Sequence, residues 1–518
     1  MRITVLAVHH LRLRAPWIAT VALAVAIACA AHAGAAAAEP LVHYAVSTHV
    51  AAAQVEFDRG LSAIYAFAPE DALAHFQAAG RLDPTFAMAY WGIALGAGPN
   101  VNIPYDLSRA AVGRAACAQA ATLARGATAS ERDLIGALAK RYEATSPAQI
   151  YGAEFAYARA MDAVARRFPK DVDIATLAAE SLMDLQPLRM WRHDGSPEVY
   201  TARIIALLAA ALAADPRHIG ANHYFIHAYE RSTTPARALA SARRLARREL
   251  EPADEHLAHM PAHIFLRLGR SEEAIAAGER SVALFRRLLR VPHAAEHDGY
   301  FHHDLQVLGA AYASAGRWSA ARATAMEVAA QVSDDEAAVE TYARFHRWRE
   351  LLALRAPDRP GVRWHFARGL AQSELGDGAG AARESRTLHD VRGEDARLTI
   401  ARDVLDASIA RRARDERRSI ALLQAAVAAQ DTLDVVEPPA WYVPVRQTLG
   451  ARYYEGRRFT EARRTFEADL ARNPGNPGSL FGLARTLAAA RDPHAAAADA
   501  AFRNAWRHAD VALRMDQL

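Results

Sequence analysis

The amino-acid sequence predicts an all-α protein, built as a right-handed α-solenoid of antiparallel helix pairs. The first observation is composition: about a quarter of the 518 residues are alanine and 23% are charged. Alanine has the highest helix propensity and is depleted in strands, so a sandwich or barrel is excluded. The second observation is a set of small and aromatic residues that recurs with the same spacing near both ends of the chain. Such internal repeats are typical of solenoids.

The clearest repeat lies near the C-terminal end, and a second copy of its spacing lies near the N-terminal end. Its residues are Leu449, Gly450, Tyr453, Gly456, Arg457, Ala462, Phe466 and Pro474, and the copy has Gly60, Ala72, Phe76, Ala79 and Pro84. In the tetratricopeptide (TPR) pattern, small residues let two helices touch and the proline follows the second helix. We therefore predict one TPR-like solenoid from about residue 41 to the end.

The N-terminal segment has the pattern of a secretory signal. Arg2, Arg12 and Arg14 precede an apolar run over residues 15–31, which ends in small residues. The run is too short for a stable membrane span. We divide the chain into a signal peptide (1–38), N-terminal repeats (39–215), histidine-rich repeats (216–330) and C-terminal repeats (331–518).

Export to the periplasm is the predicted location, with lipid anchoring at Cys29 as the alternative. Apart from Cys29 the chain has only Cys117, so the mature protein has no intrachain disulfide. Without the three signal arginines, the 62 cations and 58 anions nearly balance. This balance argues against a nucleic-acid partner.

Histidines recur at equivalent positions of two neighbouring repeats. Ala238 and the Gly269-Arg270 pair set the frame, which makes HYFIHAYE and HLAHMPAHIF the first helices of successive repeats. The fifth and ninth positions are then His223 and His227 in one helix, and His259 and His263 in the next. In the same frame Glu180 is ninth, Glu230 twelfth, and His256 and His303 second.

These positions predict a metal site. Nine of the 22 histidines fall between His223 and His303. Residues at i and i+4 share a helix face, and first helices of TPR solenoids line the concave groove, so both pairs can reach one site. The predicted ligands are His223, His227, His256, His259, His263 and His303. Imidazole and carboxylate without thiolate suit Zn(II) or Cu(II), as one ion or two.

Two other functions remain open from the sequence. If the ion keeps an open position, the groove becomes the site of a metal-dependent hydrolase or oxidoreductase, with Glu180 or Glu230 as general base. Alternatively, the groove takes a protein or peptide ligand, and the histidines are its polar lining. The sequence therefore leaves catalytic activity undecided.

Three further segments have a structural interpretation. His293, His297 and His302 are expected in a solvated loop. Residues 437–446 (EPPAWYVPVR) begin with prolines that exclude helix, so they are expected to pack against the repeats or to wall the groove. Residues 98–102 are expected to form an ordered turn after a helix.

Several blocks resemble a broad group of exported bacterial TPR-like proteins, mostly uncharacterised. The blocks are AMAYWGIALGAGPNVN, AAESLMDLQP, ANHYFIHAYE, HLAHMPAHIFLRLGR, EPPAWYVPVR and SLFGLA. In that group asparagine commonly stands where this chain has Asp304, and a further histidine where it has Gln306. The resemblance implies the solenoid fold and supports a shared site, altered here at those two positions, but no activity.

Overall fold

The computed structural model describes residues 40–290, 298–332, 335–393 and 395–518. The predicted signal peptide and Cys29 therefore lie outside the described residues. Within those ranges the chain forms no β-strand and folds into the following α-helices. They are α1 (Ala51–Tyr65), α2 (Pro69–Leu82), α3 (Ala87–Gly96), α4 (Leu107–Leu123), α5 (Ala129–Arg141), α6 (Ile150–Arg167), α7 (Val172–Met183), α8 (Thr201–Ala214), α9 (Ile219–Tyr229), α10 (Leu239–Leu245), α11 (Glu255–Arg267) and α12 (Ser271–Leu288). The C-terminal part has α13 (Asp298–Ser314), α14 (Trp318–Val332), α15 (Asp335–Arg344), α16 (Trp348–Leu352), α17 (Val362–Leu375), α18 (Gly378–Asp390), α19 (Ala396–Arg412), α20 (Glu416–Gln430), α21 (Val445–Glu455), α22 (Phe459–Arg472), α23 (Pro477–Ala489) and α24 (Ala495–Ala505).

Consecutive helices pair into hairpins, beginning with α1 against α2 and ending with α23 against α24. The first helices of neighbouring hairpins also touch, as α7 touches α9, α9 touches α11 and α11 touches α13. This arrangement confirms the predicted all-α solenoid. It also places the histidine-bearing segments on three adjacent first helices.

The repeat residues lock neighbouring hairpins together in the same way at both ends of the chain. Each lock is an aromatic ring held between two glycines, in one case Phe76 between Gly60 and Gly92, and in the other Phe466 between Gly450 and Gly482. A β-carbon at any of these four glycines would lie 2.2–2.7 Å from the ring. Both rings are fully buried. Glycine is therefore required by the close helix contact rather than by backbone torsion.

The solenoid closes on its own first helix. Helix α1 contacts α9, far along the chain, and the Tyr65 hydroxyl donates to Asp173 at 2.8 Å. His218, which caps α9 by accepting from Ala221 N at 3.0 Å, lies 3.1 Å from the same Asp173 carboxylate. The end of α1 is thus bonded to the starts of α7 and α9. The concave face becomes an enclosed space instead of an open groove.

The C-terminal hairpins pack back against the middle of the chain. Gly269 has a positive φ of 65°, and a β-carbon there would lie 1.9 Å from the carbonyl oxygen of Pro474. Asp510 accepts from the backbone N–H of Trp318 at 2.6 Å and of Ser319 at 2.9 Å. These contacts carry the segment before α21 toward the histidine-bearing helices. Residues Leu41–Leu518 accordingly form one compact unit.

Two further expectations concern membranes and cysteine. None of the helices in the described residues is both long and apolar enough to cross a bilayer. Cys117 is buried on α4, and burial raises the pKa of its thiol to about 12. A thiol with that pKa stays protonated at neutral pH, so Cys117 serves as a small core residue.

Gly482→Ala is expected to lower stability by about 1–3 kcal/mol, because the added methyl group overlaps the Phe466 ring in a packed core. The matched control is Gly136→Ala on α5, where a β-carbon meets no atom within 4 Å. The control is expected to raise stability by about 0.5–1 kcal/mol, as alanine restricts the unfolded chain. Thermal and urea denaturation measure both. Equal shifts for the two variants would contradict the packing account.

Candidate metal centre

Six buried or nearly buried histidines on three adjacent first helices form two contiguous groups. The first histidine trio is His223 and His227 of α9 with His256 of α11. The second histidine trio is His259 and His263 of α11 with His303 of α13. In each trio, one ring nitrogen per residue lies within 4.8 Å of the other two. All six predicted histidine ligands therefore meet in one region of the structure.

Hydrogen bonds set the tautomers of the first trio. Nδ1 of His223 lies 2.7 Å from the carbonyl oxygen of Tyr65, and a carbonyl only accepts, so Nδ1 carries the hydrogen. Nδ1 of His227 likewise donates to the Glu230 carboxylate at 3.0 Å. In both residues the Nε2 lone pair is left free to bind a ligand. A carboxylate or carbonyl behind an imidazole is the usual support of a metal-binding histidine.

The second trio has a carboxylate beside one of its rings, at ion-pair distance but without the hydrogen bond that supports the first trio. Nδ1 of His259 lies 3.0 Å from Oδ1 of Asp304, and its Nε2 lies 2.8 Å from Nε2 of His263. The His303 ring centre is 4.9 Å from that of His259 and 5.5 Å from that of His263. Two Nε2 atoms at this separation can face one ion or share one hydrogen. The arrangement brings three imidazole edges to a common point.

Phe67 covers the first trio. This residue lies in the turn between α1 and α2 with φ at 56°, in the left-handed region. Its ring centre is 4.6, 5.6 and 5.4 Å from those of His223, His227 and His256. The turn places an apolar ring against three imidazoles and excludes water from that side.

The two trios adjoin through α11. The ring centres of His256 and His259 are 6.0 Å apart and nearly parallel, because these residues lie three positions apart on one helix. The six imidazoles thus form one continuous array rather than two separate sites.

Burial keeps four of these imidazoles neutral. It lowers the pKa of His223, His256 and His263 well below the ordinary value, and the neighbouring histidines lower it further. The same two causes lower the pKa of His303 to about 4, opposed by Asp304. A neutral imidazole keeps the lone pair that metal coordination requires.

Several nitrogens of the array have no hydrogen-bond partner among the described residues. They are buried, and they are His223 Nε2, His227 Nε2, both ring nitrogens of His256, His259 Nδ1 and His263 Nδ1. A buried polar atom left unpaired costs about 1–3 kcal/mol. The unpaired nitrogens make the array a candidate site for a bound group that accepts lone pairs.

A buried carboxyl pair lies behind the second trio. Asp304 accepts from the Ser281 hydroxyl. Burial raises the pKa of Glu255 well above its ordinary value, with a further contribution from Asp304. Glu255 is therefore protonated next to an Asp304 carboxylate that faces His259. From the sequence, Asp304 stands out only as a difference from the group of TPR-like proteins that the chain resembles.

Glu180 lies in a different buried cluster. Its neighbours are Glu154, Asp184 and Arg141, whose Nη2 donates to Glu154 at 3.0 Å and to Asp184 at 2.6 Å. Burial raises the pKa of Glu180 to about 6, while Arg141 lowers it. Neither trio includes Glu180. Of the two glutamates proposed as general base, only Glu230 is bonded to a histidine of the array.

A cavity of about 500 Å³ opens onto both trios. We call it the histidine cavity, and its lining residues are His227, His256, His263, His303, Glu230, Arg231, Glu437, Asn102, Ile103, Leu188, Met260 and Tyr300. Enclosure by protein raises the pKa of Glu437 to about 8, although Arg267 lowers it. The volume of the histidine cavity suits a small molecule.

The remaining sequence expectations are met in part. Residues 98–102 end a helix and form a turn, closed by the Asn100–Ile103 bridge. The segment 437–446 does both things expected of it, since Trp441 packs on Phe366 at 4.9 Å while Glu437 lines the cavity. His302 lies on α13 rather than in a loop. His293 and His297 lie outside the described residues.

Sequence reasoning missed the groups that surround the array. Tyr65 and Phe67 come from a segment far from the histidines in the chain, and no local pattern marks them. Arg231 follows Glu230 directly. It was missed because Glu230 takes the twelfth position of the repeat frame, the last one that was expected to face the groove.

The comparisons with known proteins give only distant structural similarities. No family model matches the sequence, and no curated protein matches it. Among solved structures, a chain of the APC/C hetero-tetramer Cut9–Hcn1 has 12% identity and a TM-score of 0.29, covering 88% of each chain. Yeast Tom70 has 11% identity and a TM-score of 0.22, covering 90% of this chain and 86% of its own. The P58(IPK) TPR domain has 12% identity and a TM-score of 0.21, covering 85% and 98%.

At such identities and TM-scores, these similarities carry no inference about this chain. The hairpin pairing and the repeated glycine–phenylalanine locks described above define a TPR-like α-solenoid on their own.

Glu180→Gln is expected to stabilise the protein at neutral pH by about 2 kcal/mol, because it removes a buried carboxylate whose pKa is raised from 4.5 to about 6. The folded wild type binds this proton more tightly than the unfolded chain. Its stability therefore falls, relative to the variant, as the pH rises from about 4.5 to about 6. Urea denaturation at a series of pH values measures this difference.

The same variant is expected to keep its full metal content, since Glu180 is not a member of either trio. Loss of metal in Glu180→Gln would contradict the placement of Glu180 outside the candidate metal centre, and a stability difference independent of pH would contradict its raised pKa.

Proposed function

We propose that the protein binds two divalent transition-metal ions, one at each histidine trio, inside its TPR-like solenoid. The observation that carries the proposal is the set of buried imidazole nitrogens without partners on α9 and α11, where His303 of α13 completes the second trio. An ion bonded to three nitrogens at about 2.0–2.1 Å satisfies them together. No single hydrogen-bond donor does this for a group of lone pairs.

The distances support this stoichiometry. In a tetrahedral site the ligand nitrogens lie about 3.4 Å apart, and each trio already holds its nitrogens within 4.8 Å. Small side-chain rotations would bring nitrogens that lie within 4.8 Å of one another to a spacing of about 3.4 Å. Six nitrogens exceed what one tetrahedral ion accepts, and the division of the array into two trios matches two ions with three imidazoles each.

The donor set favours zinc or copper. Every member of the two trios is an imidazole, and the only cysteine among the described residues lies on α4. Neutral nitrogen donors suit Zn(II) and Cu(II), and disfavour Mg(II) and Ca(II), which prefer oxygen.

A metal-dependent reaction on a small molecule is the second part of the proposal. Two histidines of each trio line the histidine cavity, so the fourth position of each ion faces the space that a substrate would occupy. A three-histidine site with an open fourth position is the common form of catalytic zinc. Hydrolysis and oxidation both remain compatible with this arrangement.

A peptide-binding scaffold is less well supported. The histidines are buried, whereas the lining of a peptide groove must be accessible along several turns. A cavity of about 500 Å³ fits a small ligand better than a partner helix.

We also propose that the protein acts in the periplasm after removal of residues 1–38. The support is the charged and apolar pattern of that segment. Anchoring through Cys29 is the alternative, and mass analysis of the mature N-terminus distinguishes the two.

The test is metal analysis of protein purified without an affinity tag, after dialysis against zinc or copper. We expect about two equivalents in the wild type. The double variant His223→Ala, His227→Ala is expected to keep one equivalent, and so is His259→Ala, His263→Ala, because each removes two ligands of one trio. Combining all four substitutions is expected to abolish binding.

His365→Ala is the matched control. His365 lies on α17 with its Nδ1 2.7 Å from Glu384, outside both trios, so its loss leaves the metal content unchanged. Wild-type protein that takes up no zinc and no copper would refute the proposal. Loss of both equivalents in either double variant would refute the assignment of one ion to each trio.

A further inference from the structure

Arg231 is the one residue of the histidine cavity that carries a positive charge. It follows α9 directly, next to Glu230. Within the described part of the chain it makes no hydrogen bond and no ion pair, although its charge acts on His263 and Glu437. A guanidinium has five N–H donors in a planar fork, which fits a carboxylate.

Its neighbour Arg267 shows how the fold uses an arginine for structure. Arg267 donates to the carbonyl oxygens of Glu230 at 3.1 Å and Ser232 at 2.9 Å. These bonds tie α11 to the end of α9. Arg231, on the adjacent turn, has no such structural contact.

The charge of the site also favours an anionic ligand. Imidazole ligands carry no negative charge, so they cancel none of the charge of two divalent ions. Of the two acids that line the cavity, Glu230 is bonded to His227, and Glu437 faces Arg267. With ions bound, the cavity is therefore strongly positive, and Arg231 adds to that charge. Such a site attracts anions.

Ile103, Leu188 and Met260 form the apolar part of the lining. They offer no hydrogen-bonding side chains to a ligand, and they favour a ligand with an apolar body. A single guanidinium satisfies one carboxylate with a bidentate pair of hydrogen bonds.

We propose that the histidine cavity binds a small organic carboxylate, whose anionic group pairs with Arg231 and whose apolar body lies against Ile103, Leu188 and Met260. The inference rests on the proposed function for the ions beside the ligand. It adds the substrate class and its recognition residue. Arg231 positions the ligand and need not touch the reacting atoms.

The experiment is calorimetric titration of zinc-loaded protein with benzoate, and with benzamide as its uncharged counterpart. Arg231→Gln is expected to weaken benzoate binding about tenfold or more, the usual effect of losing a charge-assisted hydrogen bond. Benzamide binding is expected to change little. Arg231→Lys is expected to restore part of the benzoate affinity, because it restores the charge without the planar fork.

Arg237→Gln is the matched control. Arg237 is exposed, lies close in sequence and is absent from the cavity lining, so this variant removes the same net charge from outside the cavity. Its benzoate affinity is expected to equal that of the wild type. Circular dichroism and zinc content are measured on every sample, to show that each variant is folded and loaded.

Each outcome is decisive. Benzoate affinity that is equal in the wild type and Arg231→Gln, or absent from the wild type, overturns the carboxylate site while zinc content still supports the metal centre. Tighter binding of inorganic phosphate than of benzoate overturns the carboxylate class. If the wild type takes up no zinc but its benzoate binding still depends on Arg231, the metal proposal is overturned and the anion site is supported.

Discussion

The burial of the first histidine trio against the end of α1 is the constraint on which the rest of the site depends. The carbonyl oxygen of Tyr65 accepts from His223, and Phe67 covers three histidine rings. Burial lowers the pKa of His223 and His256 well below the ordinary value, so these two rings stay neutral at physiological pH. An open TPR-like groove would leave the same histidines in water, where protonation would compete with metal binding.

The enclosure is a property of the whole solenoid. The N-terminal closure is made by hydrogen bonds among α1, α7 and α9, and the C-terminal hairpins add a second wall that carries Glu437. Both closures join segments that are far apart in the chain. Damage to the glycine–phenylalanine locks therefore affects the site indirectly, through the curvature of the hairpin stack.

Local periodicity was enough to predict the helix frame and the main histidine pairs. His223 with His227 and His259 with His263 follow from the i, i+4 rule, and the small-residue anchors gave the frame that brings α9, α11 and α13 together.

The division into trios was not predictable. His256 shares α11 with the second pair but joins the first, because its position on the helix turns it toward α9. Glu180 lies outside both trios, because Arg141 holds its neighbours Glu154 and Asp184 in another buried cluster. Long-range closure by Tyr65 has no local sequence pattern at all.

The central claim is that two ions occupy the two trios. Crystals of untagged protein grown with zinc, measured on both sides of the zinc absorption edge, test it most directly. The account predicts two anomalous peaks, each about 2.0–2.1 Å from three imidazole nitrogens, one between His223, His227 and His256 and the other between His259, His263 and His303. A fully loaded crystal with no peak at either trio, or with zinc bound only elsewhere on the protein, would contradict it.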